Sequence, residues 1–442
     1  MQNDKTTLND LSIFTADGGG VFALLDHTTT QQGRDVLRQY IYNPPDSYER
    51  LQQMQDVIKY WEQHIDKWPS AVSNGTLVML VKFFEGADNI TAPPSGMMRV
   101  FSSFLQKALN KNEFFFTQFS ISHLSDFLNG CMHLSALLSD TTLPALLKQE
   151  LEFLQDELKQ RLTAEVIKIN TDTPFAGLAT ISYKARREMK SMVYRLMHHY
   201  ARLDAWRSMA IATKYNKWTY PELIPGKPLV LDAEGLYHPL LTKPVAYSIN
   251  FSNKKNFLLL TGANMSGKTT FMRALGVGVL LAHLGMGVPA ARLRITFLQG
   301  IITNMQVEDN LMRGESYFFA EVQRMKVTAE KLLQSEGHLV LMDELFKGTN
   351  VHDAYECTRA VVEGLLNRPD QVMILSTHLY EVAQHFKDRS DILFAYFVTR
   401  MHEDDSYDFA YELKTGISDD RIGYRILQKE GVIDLLHRNT VK

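Results

Sequence analysis

At 442 residues, with 45% hydrophobic and 22% charged residues, the chain has the composition of an ordinary folded protein and the length of two or three domains. A net charge of −3 excludes a surface coated all over with basic charge, so any nucleic-acid contact must use a local patch. No early stretch reads as a secretory leader and no apolar run approaches the roughly 18 residues that span a bilayer, which predicts a cytoplasmic protein without a membrane partner.

Residues 1–72 read mostly as helices punctuated by turns. Three glycines at Gly18–Gly20 precede apolar positions at helical spacing through Phe22, Leu25, Val36, Leu37, Tyr40 and Ile41, and Pro44-Pro45 ends that run. From about Met97 to Lys217 the pattern is again helical, with Leu147, Leu151, Leu154 and Leu158 marking one amphipathic stretch and Val193 to Ala212 another. Cys131 and Cys357 lie far apart, and neither has a metal-ligand spacing such as C-x-x-C; both read as buried small residues.

The composition shifts at PELIPGKP, 221–228, which reads as a boundary between an all-α region, 1–220, and an α/β domain, 221–442. FLLLTG (257–262), HLVLMDE (338–344) and VMILSTH (372–378) are short apolar runs separated by long helical patterns. Buried parallel strands of a mainly parallel central sheet have this form.

The first of these strands leads into a motif. LLLTGANMSGKTTFMRAL fits G-x-x-x-x-G-K-[ST] at Gly262, Gly267, Lys268 and Thr269, after a predicted strand and at the start of a predicted helix, the context that the motif requires. Glycines let backbone amides turn inward around a β-phosphate, the helix N-terminus adds positive potential, Lys268 reaches the β/γ oxygens and Thr269 ligates Mg2+. The candidate ATP-binding residues are Gly262, Asn264, Met265, Ser266, Gly267, Lys268, Thr269 and Thr270. HLVLMDEL supplies the complementary carboxylates: Asp343, placed to hold the metal through water, and Glu344, placed to polarise an attacking water. Alone, an Asp-Glu pair reads as a solvated turn; behind an apolar strand downstream of a phosphate loop it reads as chemistry. His378, at the tip of the third strand, stands where a γ-phosphate sensor would sit, and completes a catalytic set with Glu344 and Lys268.

Together these motifs resemble the ATPase domain of the MutS family of DNA mismatch repair proteins, a branch of the ABC-type ATPases. TGANMSGKTT resembles the family's TGPNMAGKST, DELFKGTN at 343–350 its DEIGRGTS, and STHLYE at 376–381 its ATHYHE. EDNLMRGESYFFAEV at 308–322 resembles the signature segment SDDLASGRSTFMVEM. The resemblance implies a homodimer in which Gly314 and Ser316 reach the γ-phosphate bound by the opposing subunit; Glu315 stands where the family has a basic residue, which leaves the electrostatics of that contact open. It also implies ATP and Mg2+ as ligands and an α-helical core and lever ahead of a P-loop ATPase domain.

The likeness extends more loosely toward the N-terminus. Residues 11–45 resemble the family's core segment, RLDAWRSMAIATKYNKWTYPEL at 202–223 its return lever helix, and YHPLL at 237–241 its RHPLL. ISYKARREMKSMVYRL at 181–196 resembles the entry to the DNA clamp but runs straight into the return helix. The expectation is a minimal core-plus-ATPase relative without mismatch-reading, connector or clamp domains.

The same segment carries the candidate DNA contacts Lys184, Arg186, Arg187 and Lys190, near Tyr183 and Tyr194. A solvated lever helix that balances acidic charge elsewhere is the plainer alternative. Three functions follow: a DNA-repair-type ATPase switch, with a full-length MutS-type protein as a candidate partner; an ATP-gated scaffold that binds protein instead of DNA; and a P-loop kinase, which Glu344 and His378 suit less well because they favour attack by water.

Overall fold

A computed structural model describes residues 3–16, 18–86, 111–169, 175–263, 265–305, 317–401, 407–418 and 432–437. They fall into two compact units. One comprises residues 1–24, 41–52 and 215–442, the other residues 25–40 and 53–214. The division therefore differs from a single boundary at 220/221, because the N-terminal residues pack with the α/β part.

Helices α1 (Lys5–Asp10) and α2 (Val21–Leu25) open the chain. Asp10, at the end of α1, is buried, and its Oδ2 accepts from Thr303 Oγ1 at 2.7 Å and Met305 N at 3.2 Å. Leu11 fills the space above Gly276, where an added Cβ would lie 2.4 Å from Leu11 Cδ2. These contacts span nearly 300 residues of sequence, which no local pattern announces.

Among the described residues of the second unit, every regular element is a helix. It is built from α3 (Gln31–Tyr42), α4 (Tyr48–Gln63), α5 (Asn74–Glu85), α6 (Lys111–Ser135), α7 (Ala145–Leu158), α8 (Arg161–Ile167), α9 (Phe175–Glu188) and α10 (Lys190–Tyr215), with the ends of α3 and α4 belonging to the first unit. Its core holds Trp61, Phe83, Phe84, Phe127, Tyr200 and Trp206, all fully buried. Leu147, Leu151 and Leu154 are buried on α7 as their spacing predicts, and Leu158 is half-buried. Cys131 is buried, whereas Cys357, in the other unit, is only partly so.

A buried carboxylate fixes the start of α3. Asp204 on α10 accepts from Thr29 N, Thr29 Oγ1, Thr30 N and Thr30 Oγ1, at 2.7–3.1 Å. Gly33 is required beside it, since a Cβ there would lie 2.3 Å from Asp204 Oδ2. Between α9 and α10 the helical bonding barely pauses: Met189 N donates to Ala185 O and Val193 N to Met189 O, both at 2.9 Å. No space is left there for an inserted domain.

The first unit continues with β1 (Glu222–Ile224), β2 (Val230–Leu236), β3 (Tyr247–Ser252), β4 (Phe257–Thr261), α11 (Lys268–His283), β5 (Arg292–Thr296), β6 (Gly300–Asn304), α12 (Tyr317–Gln334), β7 (His338–Asp343), α13 (Val351–Leu365), β8 (Val372–Ser376), α14 (Tyr380–Phe386), β9 (Ile392–Met401), β10 (Tyr407–Thr415) and α15 (Val432–His437). A four-stranded sheet runs β1-β5-β2-β3 and a six-stranded sheet β10-β9-β4-β8-β7-β6. In the larger sheet every pairing is parallel except β9 with β10.

The three apolar runs of the sequence are β4, β7 and β8, neighbours in this sheet. β4 and β8 are buried along their whole length and β7 up to Asp343, because helices cover both faces of a parallel sheet. Phe257, Leu259, Val340, Met342, Met373 and Leu375 pack with Met325 and Leu332 of α12, Val362 and Leu365 of α13 and Val382 of α14. Among the described residues, no helix is long and apolar enough to cross a membrane.

Candidate functional site

The carboxyl ends of β4, β7 and β8 lie side by side, with Asp343 of β7 in register with Ser376 of β8 and Leu260 of β4 also in register with Ser376. In open α/β sheets, ligands bind in the crevice outside these strand ends. Each of the three loops that leave these ends contributes a predicted residue.

After β4 the chain turns through Gly262 and Gly267 at φ of 132° and 111°, in the left-handed region that glycine tolerates without cost. Ser266 is buried, and its Oγ has no hydrogen-bond partner among the described residues. Met265 also takes a positive φ, 66°, and is 77% exposed at the tip of the turn. Helix α11 then starts at Lys268 with Thr269 and Thr270 in its first turn, where backbone amides have no intrahelical acceptor. Lys268 Nζ donates back to Gly262 O at 2.8 Å and Ala263 O at 2.9 Å. Asn264, Gly314, Glu315 and Ser316 lie outside the described residues.

Thr269 Oγ1 donates to Asp343 Oδ2 at 2.6 Å, and Ser376 Oγ donates to Asp343 Oδ1. A hydroxyl and a carboxylate thus meet where the sequence placed a metal pair. The donor set fits Mg2+, which takes hard oxygen ligands, keeps several waters and uses one or two protein groups beside substrate phosphates. Among the described residues there is no cluster of three or more His, Cys, Asp or Glu that would form an all-protein cage.

Glu344 sits just past the end of β7 at a φ of 51°, a left-handed conformation that costs about 1–3 kcal/mol and tends to mark functional turns. Lys347 Nζ lies 2.8 Å from its Oε2, Lys268 Nζ 3.6 Å from its Oε1, and His378 Nδ1 3.7 Å from its Oε2. Burial opposes the charged form of Glu344, but His378, Lys347 and the charge of Lys268 outweigh it and draw the carboxyl down to about 2. Burial works likewise against the Lys268 ammonium and lowers its pKa, although Glu344 and Asp343 favour the cation. A carboxylate with so low a pKa is a poor proton acceptor in Brønsted terms. Its chemical capacity here is to orient and polarise a water.

The predicted residues Lys268, Thr269, Asp343, Glu344 and His378 therefore converge, with the Gly262–Gly267 turn around them. Sequence reasoning missed Ser376 and Lys347. Ser376 was signalled by the STH run that contains His378, and Lys347 by its place three residues beyond Glu344.

The basic segment of the helical unit is built differently. Arg186 lies over the Phe83 ring, 4.3 Å from its centroid, and donates to Gly86 O at 3.5 Å. Lys184 is exposed, with Glu165 at 3.9 Å; Arg187, also exposed, donates to Tyr183 Oη at 2.6 Å; Lys190 is half-buried. Arg186 is thus held in a packing contact, and Lys184 and Arg187 face solvent.

The family described as MutS domain V matches residues 258–437. The DNA mismatch repair protein MutS 1 of Halobacterium salinarum is 31% identical over 237 residues, 52% of this chain and 26% of that protein. The MutS of Lawsonia intracellularis is 30% identical over 288 residues, 62% of this chain and 31% of that protein. That of Thermotoga petrophila is 27% identical over 254 residues, 56% of this chain and 31% of that protein. The chain therefore spans about a quarter to a third of the length of these curated relatives. The glycine turn, the strand-end carboxylates and the histidine all lie inside the matched stretch, so residues 258–437 are similar to MutS domain V.

Proposed function

We propose that this protein binds and hydrolyses ATP at the β4–β7–β8 strand ends, as a MutS-type P-loop ATPase working in DNA repair or recombination. The observation that carries this reading is the Thr269–Asp343 contact at 2.6 Å, with Lys268 and Glu344 alongside, because it joins two motifs more than 70 residues apart into one phosphate and metal site. Thr269 and Asp343 would hold Mg2+, which when bound neutralises charge that develops on the phosphate oxygens. The amides of the 262–268 turn and of the first turn of α11 cradle the phosphates, and Lys268 places its charge on the β/γ oxygens. Glu344, ionised at every physiological pH, orients the attacking water, and His378 beside it contacts the γ-phosphate.

In this reading two copies close on two nucleotides. Gly314 and Ser316 of each seal the site of the other, and closure moves the helical unit to grip or release DNA through Lys184, Arg187 and Lys190. A second reading, an ATP-gated scaffold for a protein partner, draws support from Arg186, whose guanidinium is taken up by Phe83 and Gly86 and so adds little to a phosphate-binding patch.

The deciding experiment uses Glu344→Gln with MgATP. Turnover should fall by roughly 10²–10⁴-fold while nucleotide stays bound, and sedimentation should show a dimer. Mobility shifts on homoduplex, mismatched and four-way-junction DNA at low salt then separate the readings. A trapped dimer that ignores all three would reject DNA as the ligand and favour the scaffold.

A further inference from the structure

We infer that Glu321, on the second turn of α12, is a positioning residue for ATP hydrolysis: it fixes the loop that presents Lys347 to Glu344. The inference rests on the ATPase reading above and adds to it the device that holds the water-orienting carboxylate in place.

Glu321 is 7% exposed, and its two carboxylate oxygens serve two consecutive backbone amides of the loop after β7. Oε1 accepts from Lys347 N and Oε2 from Gly348 N, both at 3.2 Å. The turn so held is conformationally expensive. Glu344 and Phe346 have φ of 51° and 62°, two left-handed residues within three positions, and such a turn persists only where its surroundings over-determine it.

Two further contacts tie the same turn to the start of α12. The Phe346 and Phe318 rings lie 6.0 Å apart, and Gly348 lets the loop backbone abut the helix, since a Cβ there would meet Phe318 N and Tyr317 Cδ1 at 2.7 Å. One turn further along α12, Arg324 is anchored to Asp10 Oδ2 at 2.6 Å and Thr303 O at 3.0 Å, so the helix is a fixed frame.

From this frame the line of action is short. Glu321 sets where the Lys347 stem begins, Lys347 Nζ bonds the Glu344 carboxylate at 2.8 Å, and Glu344 faces the Lys268 ammonium at 3.6 Å. Glu321 itself touches neither phosphate nor water in this scheme and acts through Lys347. A glutamine in its place has the same size but turns an NH2 donor toward one of the two amide donors, so one bond becomes a repulsion.

The test is steady-state ATP hydrolysis by the full chain carrying Glu321→Gln, with melting temperature as a check on folding. We expect kcat to fall roughly ten- to a hundredfold, the cost of a displaced catalytic group, while the KM for MgATP stays within about twofold. Combined with Lys347→Ala, the glutamine should slow turnover by no more than about twofold beyond the lysine change alone, because both act on one contact. Faster hydrogen exchange of the Lys347 and Gly348 amides should accompany the loss.

Full turnover in a folded Glu321→Gln protein, a rise in KM that matches any loss of kcat, or multiplicative effects in the double variant would overturn the inference. Wild-type protein without Mg-dependent turnover would bring down the ATPase reading and this inference with it. Active wild type beside an equally active Glu321→Gln would remove only the latter.

Discussion

Asp204 in the helical unit and Glu344 beyond β7 are both carboxylates withdrawn from solvent, yet they are held in different ways. Asp204 accepts from two backbone amides and two hydroxyls of a single turn, and every donor is fixed by the start of α3. Glu344 faces the tips of Lys268, Lys347 and His378 and sits in a left-handed conformation. The first arrangement is saturated by groups that cannot leave. The second is faced by two lysines and a histidine that follow three different strands. Burial alone thus does not separate the two carboxylates; the kind of partner, backbone amide and hydroxyl against charged side chain, does.

The sharpest way to break this contrast is to remove a partner of Glu344. Lys268→Ala should lower phosphate release by roughly a thousandfold or more, on the scale of losing a charge aimed at the transferring group, and should weaken nucleotide affinity measured by fluorescent-analogue titration. The helical unit should keep its circular dichroism. Unchanged turnover would mean that the loop after β4 is a structural turn and that the contrast with Asp204 is empty.

Asp204→Ala probes the other side. It strands the Thr29 and Thr30 amides in a buried turn, so chemical denaturation should show a loss of about 2–4 kcal/mol. The effect should be on stability, and a loss under about 0.5 kcal/mol would show that water or a shifted turn replaces those bonds.

The smallest effect concerns pH. Because the folded pKa of Glu344 is drawn down to about 2 from an ordinary 4.5, its charge adds stability that is fully present above pH 4.5 and fades as pH falls toward 2. The stability difference between wild type and Glu344→Gln should therefore shrink between pH 6 and pH 3, by on the order of 1–3 kcal/mol. A difference that stays flat across that range would mean that Lys347 and His378 do not hold the carboxylate as described.

Much of the site was legible in the sequence because its parts are local. Each of β4, β7 and β8 is an apolar run that ends in a polar motif, and the glycines at 262 and 267 stand where the backbone turns left-handed. The register of the three strands then assembles those motifs without further instruction. Glu321 was not legible, since its role depends on which loop lies against which helix. The setting of Arg186 was hidden for the same reason: a basic residue on a predicted helix face reads as available, and only the packing reveals Phe83 beneath it. The division of the chain escaped too. PELIPGKP has the composition of a linker, yet Glu222–Ile224 within it is a strand paired with β5.

That divided chain bears on how the protein is made. Leu11 leaves the ribosome before Gly276 and Leu341, whose atoms crowd the same spot and which are translated more than 260 residues later. At typical elongation rates the wait is on the order of ten seconds to a minute. During it Leu11 lacks the cover that Gly276 and Leu341 give it, while the residues of the helical unit are synthesised. Nascent chains therefore carry an uncovered Leu11 through that interval, and a chaperone that shields short apolar segments would act there.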